Sequence, residues 1–365
     1  VICGGGVVGA SAAYHLVREN RHARVCVVDR DHTFRHASAM LSAGGIRQQF
    51  SLPANIQLSL YGIEFLKSLG KELQVGADGD EPDVQLREQG YLFLASDAGE
   101  RVLRNNHATQ QAQGVTWTTL LSPDQLADRF PWLNVGGIAL GCLGEKNEGW
   151  FDPWALLSAL RSKAKELGVV FVEGLVRDVH TASSGSRKKV TAVDLELPNG
   201  STSTLDTKWV VNSAGAWSSQ IVDYCGPDVA SLPVRPRKRF VFSVHCPEEP
   251  PAAPDPTTTP LVVDPSGAYF RPEGPPGRFL CGISPPEGFS DQDHEHRHDS
   301  GSSQRLEKEL GAVDHALFDE VIWPTLYERC AAFGNLKVQS SWAGFYEYNT
   351  IDQNGVVGIH PDVEN

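Results

Sequence analysis

The chain has little that would tie it to a nucleic acid, a membrane or an oxidising compartment. Its 365 residues hold 32 Lys and Arg against 45 Asp and Glu, a formal charge of −13, which disfavours a polyanion or an anionic lipid surface as main partner. No apolar run approaches the ~18 residues that a membrane-spanning helix needs, and peripheral membrane contact stays open. Seven cysteines, Cys3, Cys26, Cys142, Cys225, Cys246, Cys281 and Cys330, are scattered without a C-x-x-C pair or an even framework. That spacing fits a reducing compartment better than a disulfide scaffold. A C-x4-C redox pair, a G-x-S-x-G elbow and an H-E-x-x-H helix are also missing, which removes disulfide-reductase, serine-hydrolase and zinc-protease chemistry. So is a second glycine-rich nucleotide fingerprint, and an enzyme with separate FAD and NAD(P)H sites of that kind is disfavoured. No internal repeat is present. Nor does a charged or Arg/Ser-rich leader precede Val1, which already reads as strand, so the natural N-terminus is expected to lie outside this sequence.

What is present begins at once. A short apolar strand runs into Gly4-x-Gly6-x-x-Gly9. Gly4 permits the tight turn, Gly6 removes a side chain that would block a pyrophosphate, and Gly9 lets helix and strand pack closely. Val7 and Val8 open a helix whose free N–H groups suit an anion. Ala10, Ala13, Leu16 and Val17 give that helix an apolar face, Asn20 to His22 break it, and Arg24 to Val28 read as a buried second strand. Asp29, twenty residues after Gly9, is placed to accept from a ribose diol, with Arg30 beside it. A glycine turn alone is a weak signal. Strand, helix, strand and acid in register make it a dinucleotide site.

The next loop carries Ser38, Ser42, Ala43, Gly44 and Gly45, then Arg47, Gln48 and Gln49. Small residues here suit a backbone running close to a ligand, and a plain surface loop is the alternative. A helix is expected over about 54–73, an acidic linker over 76–83 and a strand over 90–95. Ser122-Pro123-Asp124-Gln125 is a capping box. These elements read as the start of a second, β-rich domain. Asp152-Pro153 caps a further helix that Gly168 stops, followed by a strand, a hairpin turning at Pro198-Asn199-Gly200 and an apolar strand at 208–212. Asn212-Ser213-Ala214-Gly215, with Trp217, offers another close backbone approach. Beyond it lie the basic run Arg235, Arg237, Lys238 and Arg239, a proline-rich structureless stretch over 250–260, and antiparallel strands near 269–271 and 279–282. His294, His296 and His298 stand at alternate positions in a low-order insert, 285–304. Lacking cysteines or a capped helix, they read as a solvated loop, and no metal site is expected. A helix around 314–326 precedes a strand, a turn and a second strand ending at Gly358. A doubly wound domain normally finishes with a helix, so further chain is expected past Asn365. The turns at 4–9, 42–45 and 212–215 together touch more length of ligand than NAD requires. An extended FAD satisfies all three.

The order of fingerprint, Ser/Gly loop, Gly149-Trp150-Phe151-Asp152-Pro153 helix start, Asn212 to Ser218 turn and Asp352 to Gly358 tail resembles the D-amino-acid oxidase superfamily, which includes sarcosine oxidases, glycine oxidase and dimethylglycine dehydrogenase. Longer strings, Arg30-Asp31-His32-Thr33, Gln48 to Pro53, Glu148 to Trp154, Pro236 to Arg239 and 346–357, are similar to a mitochondrial branch of that superfamily associated with assembly of respiratory complex I. The resemblance implies an α/β fold: a Rossmann-like FAD-binding domain from 1–87, 146–231 and 338–365, and an α+β domain with a mixed, largely antiparallel sheet from 88–145 and 232–337. It implies FAD, held by Gly4, Gly6, Val7, Val8, Gly9, Asp29, Arg30, Ser38, Ser42, Ala43, Gly44, Gly45, Val176, Ala214, Gly215 and Trp217. Amine oxidation follows from it, with a hydride passing from a small amine or N-methyl amino acid to the flavin, and Arg47, Gln49, Arg239 and Tyr346 as catalytic candidates. Arg47 near the flavin ring would stabilise negative charge, although each of these cations taken alone is as well explained by solvation or by pairing with the surplus carboxylates. Tyr346 stands where glycine oxidase-like members carry a carboxylate-binding arginine. Leu280-Cys281-Gly282 lacks the oxygen-activating lysine of sarcosine oxidases, which favours a dehydrogenase. Leu41 replaces a flavin-tethering histidine, which implies non-covalent FAD. The mitochondrial branch adds complex I subunits or assembly intermediates as partners and the matrix side of the inner membrane as location. An assembly chaperone with structural FAD and no turnover is the rival reading.

Overall fold

The computed structural model describes residues 1–284 and 303–365, and side chains throughout these except at 303–305. The chain opens with β1 (Ile2–Cys3), α1 (Val7–Glu19) and β2 (Cys26–Asp29). A glycine-containing loop leads through β3 (Gly45–Ile46) to α2 (Pro53–Leu73). Pro53 suits the first helical position because its missing N–H would be unpaired there, and Ile56, Ile63, Leu66, Leu69 and Leu73 form the helix's buried stripe.

β4 (Tyr91–Ala95), α3 (Asp97–Ala112), β5 (Thr118–Leu121), α4 (Pro123–Arg129) and β6 (Leu140–Gly144) come next. The capping box of α4 is complete: the Gln125 N–H donates to Ser122 Oγ at 3.3 Å and the Ser122 N–H to Gln125 Oε1 at 2.8 Å. β7 (Gly149–Trp150) and α5 (Pro153–Glu166) follow, with Asp152 accepting from the Trp154 and Ala155 N–H groups. The chain then forms β8 (Val170–Glu173), β9 (Leu175–Ser184), β10 (Arg187–Glu196), β11 (Thr202–Asp206), β12 (Val211–Asn212) and a short α6 (Ser218–Asp223). The last part comprises β13 (Val234–His245), β14 (Leu261–Val263), β15 (Ala268–Pro272), β16 (Arg278–Ile283), α7 (Ser303–Gly311), α8 (His315–Leu317), a π-helical turn over Phe318–Ile322, α9 (Trp323–Arg329) and β17 (Lys337–Asn349).

Two sheets dominate. The first, in the order β12-β1-β2-β8, is parallel throughout. Ala10, Ala13 and Val17 of α1 and Leu157 and Leu160 of α5 pack in one cluster with Ile2 and Val27 of its strands, which is the βαβ arrangement that the opening residues imply. The second has eight strands in the order β17-β13-β16-β15-β14-β4-β6-β5 and is antiparallel except where β14 meets β4. Leu92, Phe242, Phe270, Phe279 and Cys281 on one face of it pack with Phe318, Ile322, Leu326 and Phe333 into the largest core cluster. A mixed α/β architecture with a parallel dinucleotide-type sheet and a large mixed sheet is therefore what the chain forms. Among the described residues no helix is long and apolar enough to cross a membrane.

Some local expectations differ from the structure. β17 lies in the eight-stranded sheet, paired with β13 from Val234↔Asn349 to His245↔Lys337, whereas the sequence reading grouped 338–365 with the cofactor segments. Only the residues after β17 return to the other side, where the Lys188 N–H donates to Asp362 O and the Val210 N–H to Asn365 O. The second strand expected before Gly358 does not form. Val356, Val357 and Ile359 are exposed, and their β propensity finds no neighbouring strand to complete a ladder. The proline-rich stretch is irregular but packed: Ala253 and Thr259 are buried, and Gln89 Nε2 donates to the carbonyls of Pro256 and Thr259. Most of the histidine insert, including His294, His296 and His298, lies outside the described residues.

Candidate functional site

At the first glycine turn two glycines serve packing and one faces open space. A Cβ on Gly4, whose φ is +99°, would stand 2.3 Å from Ser213 O, and one on Gly9 would stand 1.9 Å from Gly4 O. A Cβ on Gly6 would meet nothing within 4 Å. Gly6 is also the N-cap of α1, with no side-chain cap bond and no acid in the first turn. Its leading N–H groups are therefore left for an anion. Ser213 Oγ donates to the carbonyls of Cys3 and Gly4, tying the turn after β12 to the turn after β1.

These turns border a cavity of about 430 Å³ lined by Gly4, Gly6, Val7, Val8, Asp29, Arg30, Ser38, Val176, Ala214, Gly215 and Trp217 among others. Asp29 is held at its rim by the Gly5 N–H at 2.7 Å and the Asp31 N–H at 3.1 Å, and each oxygen keeps a further lone pair. The Arg30 guanidinium lies 3.8 Å over the Trp217 ring. Burial lowers its basicity, with Asp29 and Asp31 opposing. Open space beside Gly6 and Gly215, an uncapped helix start and an oriented acid are the cradle a dinucleotide's pyrophosphate and ribose require, so the residues fit FAD at this end.

The second glycine loop is clamped from both sides. Gly44 has φ +66°, a Cβ there would stand 2.4 Å from Phe151 O, and a Cβ on Gly45 would stand 2.1 Å from the Tyr91 hydroxyl. The Ala43 carbonyl accepts from Arg271 Nε at 2.8 Å. Ser42 Oγ donates to Ala39 O and accepts from the Gly44 N–H, while Ser38 Oγ donates to the Phe345 carbonyl of β17 at 2.6 Å. Both hydroxyls shape the loop. Leu41 lies where a Cβ on Gly344 would come within 3.0 Å, and its hydrocarbon side chain offers no atom for a covalent flavin link.

The loop faces one side of the eight-stranded sheet. Cross-strand register puts Gly144, Tyr91, Tyr269, Gly282, Arg239, Arg237, Gly344 and Tyr346 on that face, opposite the large core. Glycines in three of these strands let other side chains approach: a Cβ on Gly144 would stand 2.1 Å from Glu148 Oε2, one on Gly282 2.5 Å from the Tyr269 hydroxyl and one on Gly344 3.0 Å from Leu41 Cβ. Charge runs along the row. The phenols of Tyr91 and Tyr269 are raised by burial and lowered by Arg271, with Arg47 also acting on Tyr91 and Arg239 on Tyr269. Arg239 also acts on Tyr346, whose phenol burial raises. Arg237 lies 3.4 Å over the Tyr348 ring.

Arg47 is half-buried, its guanidinium 4.6 Å from the Phe50 ring centre and 5.0 Å from that of Phe93. Gln49 is buried, and its Nε2 donates to Tyr91 O at 3.0 Å and to Glu148 Oε2 at 2.7 Å. Glu148 is fully buried, and burial pushes its carboxyl up to about 7 against the pull of Gln49, Gln48 and Arg47.

Eleven of the expected cofactor residues thus line one cavity. Gly9 packs behind it, and Ser42 to Gly45 form a separate clamp against Tyr91 and Phe151. Arg47, Arg239 and Tyr346 stand along the sheet face, while the Gln49 side chain turns into the interior. Glu148, Tyr91, Tyr269 and Arg271 were not singled out as site residues by sequence. Glu148 sat inside a quoted string, but nothing in the string shows that its side chain points inward. All seven cysteines are free. Asp178, His180 and Asp194 cluster on the surface of β9 and β10, where His180 Nε2 and Asp194 Oδ2 already pair at 2.8 Å.

A family model described as FAD dependent oxidoreductase (DAO) matches residues 1–365. FAD-dependent oxidoreductase domain-containing protein 1 of Xenopus laevis is 44% identical over 389 residues, covering 100% of this chain and 73% of that protein. The mitochondrial dimethylglycine dehydrogenase of Rattus norvegicus is 29% identical over 258 residues, covering 68% of this chain and 27% of that protein. Among solved structures, L-proline dehydrogenase from P. horikoshii superposes with a TM-score of 0.72 at 23% identity, covering 99% of this chain and 85% of that one.

Proposed function

The chain belongs to the FAD dependent oxidoreductase family (DAO), and from that premise we propose that it is a dehydrogenase for a small amine or N-methyl amino acid, with FAD held non-covalently. The observation that carries the reading is the cavity beside Gly6 and Gly215, bordered by the uncapped start of α1 and by Asp29. FAD, when bound, supplies the two-electron acceptor for a C–H hydride. The chain's own part is binding and orientation. Gly6 and the start of α1 would take the pyrophosphate, Asp29 the ribose, and the backbone of Ala43 to Gly45 would lie toward the ring. Arg47 would supply positive charge on that side, stabilising negative charge on the acceptor. Tyr346 and Arg239 share the sheet face that the loop covers and would orient a substrate carboxylate, Tyr346 through one hydrogen bond rather than a bidentate pair.

The family's amine and amino-acid enzymes support the substrate class, and the mitochondrial name of the dimethylglycine dehydrogenase relatives supports a mitochondrial location. We place the physiological output in assembly of respiratory complex I, through its subunits or assembly intermediates at the matrix side of the inner membrane. A structural-FAD assembly protein is the second reading, favoured by Tyr346 in place of an arginine. Anaerobic spectra separate the two. Sarcosine, dimethylglycine, proline or a D-amino acid should bleach the flavin band of the full-length protein, and a flavin-loaded protein that none of them bleaches would leave only the structural role.

A further inference from the structure

We propose that Glu148 is a positioning residue of the flavin site, fixing the Arg47 to Gln49 segment against the eight-stranded sheet and, when ionised, offsetting the charge that Arg47 presents there. The inference rests on the flavin reading of the site given above.

Three features aim this carboxylate inward. Asn147, just before it, holds a left-handed backbone with φ +63°. Its N–H donates to Glu88 Oε1 at 2.9 Å, and Lys67 bridges the Asn147 side chain and Glu88. Gly144 on the neighbouring strand makes the space, since a Cβ there would stand 2.1 Å from Glu148 Oε2. The carboxylate then accepts from the Gln48 N–H at 2.8 Å and from Gln49 Nε2 at 2.7 Å. Gln48 Oε1, Gln49 Oε1 and Arg47 Nε are buried without hydrogen-bond partners, and Glu148 shares the polar hold on this segment with Ser59, which donates to Arg47 O and accepts from Gln48 Nε2, and with Tyr91 O.

A filler of the same shape needs no charge, and an uncompensated buried carboxylate is costly. The groups acting on it are Arg47 from the loop, Tyr91 from β4 and Cys142 from β6. Burial raises both Tyr91 and Cys142, which stay neutral near pH 7 and leave Arg47 as the facing cation. Burial pushes the Glu148 carboxyl up to about 7, so a carboxyl band near neutrality that the Gln variant lacks is its own.

The test uses the full chain with bound FAD and the variant Glu148→Gln. Between pH 5.5 and 8 the wild-type flavin midpoint potential should fall more steeply than the variant's, the two coinciding at pH 5.5 and the variant lying higher at pH 8. Parallel lines overturn the proposal. An infrared titration of the wild-type chain should show a protonated carboxyl band vanishing with a midpoint near pH 7, and its absence between pH 6 and 8 overturns the proposal too. Should the Gln variant not retain FAD, Glu148→Asp replaces it: a break in the potential that moves with that variant's infrared midpoint supports the proposal, and one that stays at the wild-type pH refutes it. The infrared arm needs no flavin or turnover. A titrating band in a chain that no amine reduces therefore keeps the ionisation of Glu148 and removes the dehydrogenase reading instead.

Discussion

Gly6→Val separates ligand contact from packing within one turn. Gly6 has φ −64° and ψ −170°, extended backbone that any residue adopts, and a Cβ there meets no protein atom within 4 Å. Replacing a tolerant N-cap by Val should cost the cofactor-free fold about 1 kcal/mol or less. Gly9→Ala instead drives a Cβ to 1.9 Å from Gly4 O and 2.7 Å from Ser213 Oγ, an overpacking worth roughly 1–3 kcal/mol or more. Cofactor binding should respond in the opposite order of specificity. At FAD a hundredfold above its dissociation constant the wild type gains about 2.7 kcal/mol, roughly 3–4 °C at ~1.3 °C per kcal/mol for a chain of this length. Thermal melting with and without added FAD, together with the flavin released on denaturation, reads both effects. Gly6→Val should melt within ~2 °C of the cofactor-free wild type and show no shift with FAD. Gly9→Ala should melt lower even without it. A Gly6→Val protein that purified with one FAD per chain would falsify the pyrophosphate assignment.

Glu148→Gln should flatten the pH dependence of stability. The carboxyl moves from 4.5 to about 7 on folding, so between those values the folded chain keeps a proton the unfolded chain has released, and stability falls as pH rises through that window by ~3 kcal/mol. Urea midpoints at pH 5 and pH 8 check this, and equal losses in wild type and variant contradict it. Arg329→Ala should destabilise by about 3–5 kcal/mol, because Arg329 and Asp264 are both buried, pair at 2.6 Å, and Arg329 also holds Asn134 O and Gly136 O. A loss under ~1 kcal/mol, the value of a surface pair, counts against a buried pair. Arg47→Ala should retain FAD and lower its potential by about 30 mV, ~1.4 kcal/mol for two electrons. An unchanged potential returns Arg47 to packing over Phe50 and Phe93.

The first 29 residues were legible because several independent periodicities coincide there. The 3.6-residue spacing of Ala10, Ala13 and Val17, the strand at Val27 and Val28, and the glycines agree on one unit. Helix caps at Ser122 and Asp152 were equally readable, since a cap is a local bond written in three or four residues. α3 was not anticipated: Gln110 is its only buried residue, so no apolar stripe announces it. Val356 and Val357 misled in the opposite sense, as their β propensity is realised only beside a partner strand that the structure does not supply. The sheet face could not be read at all. Arg239, Tyr269, Gly282 and Tyr346 become neighbours only through the register of four strands, and Glu148 turns inward because of Asn147 and Gly144, neither of which looks unusual in sequence.

Hydride transfer from an amine carbon is the central claim, and a kinetic isotope effect reaches it most directly. For whichever amine bleaches the flavin of the full-length protein, anaerobic stopped-flow traces with the C-deuterated compound should be slower than with the protiated one, in the range of a primary effect, with FAD content unchanged. Equal rates would mean that C–H cleavage is not the step the site performs, and no bleaching by any amine in fully loaded protein would contradict the dehydrogenase account itself.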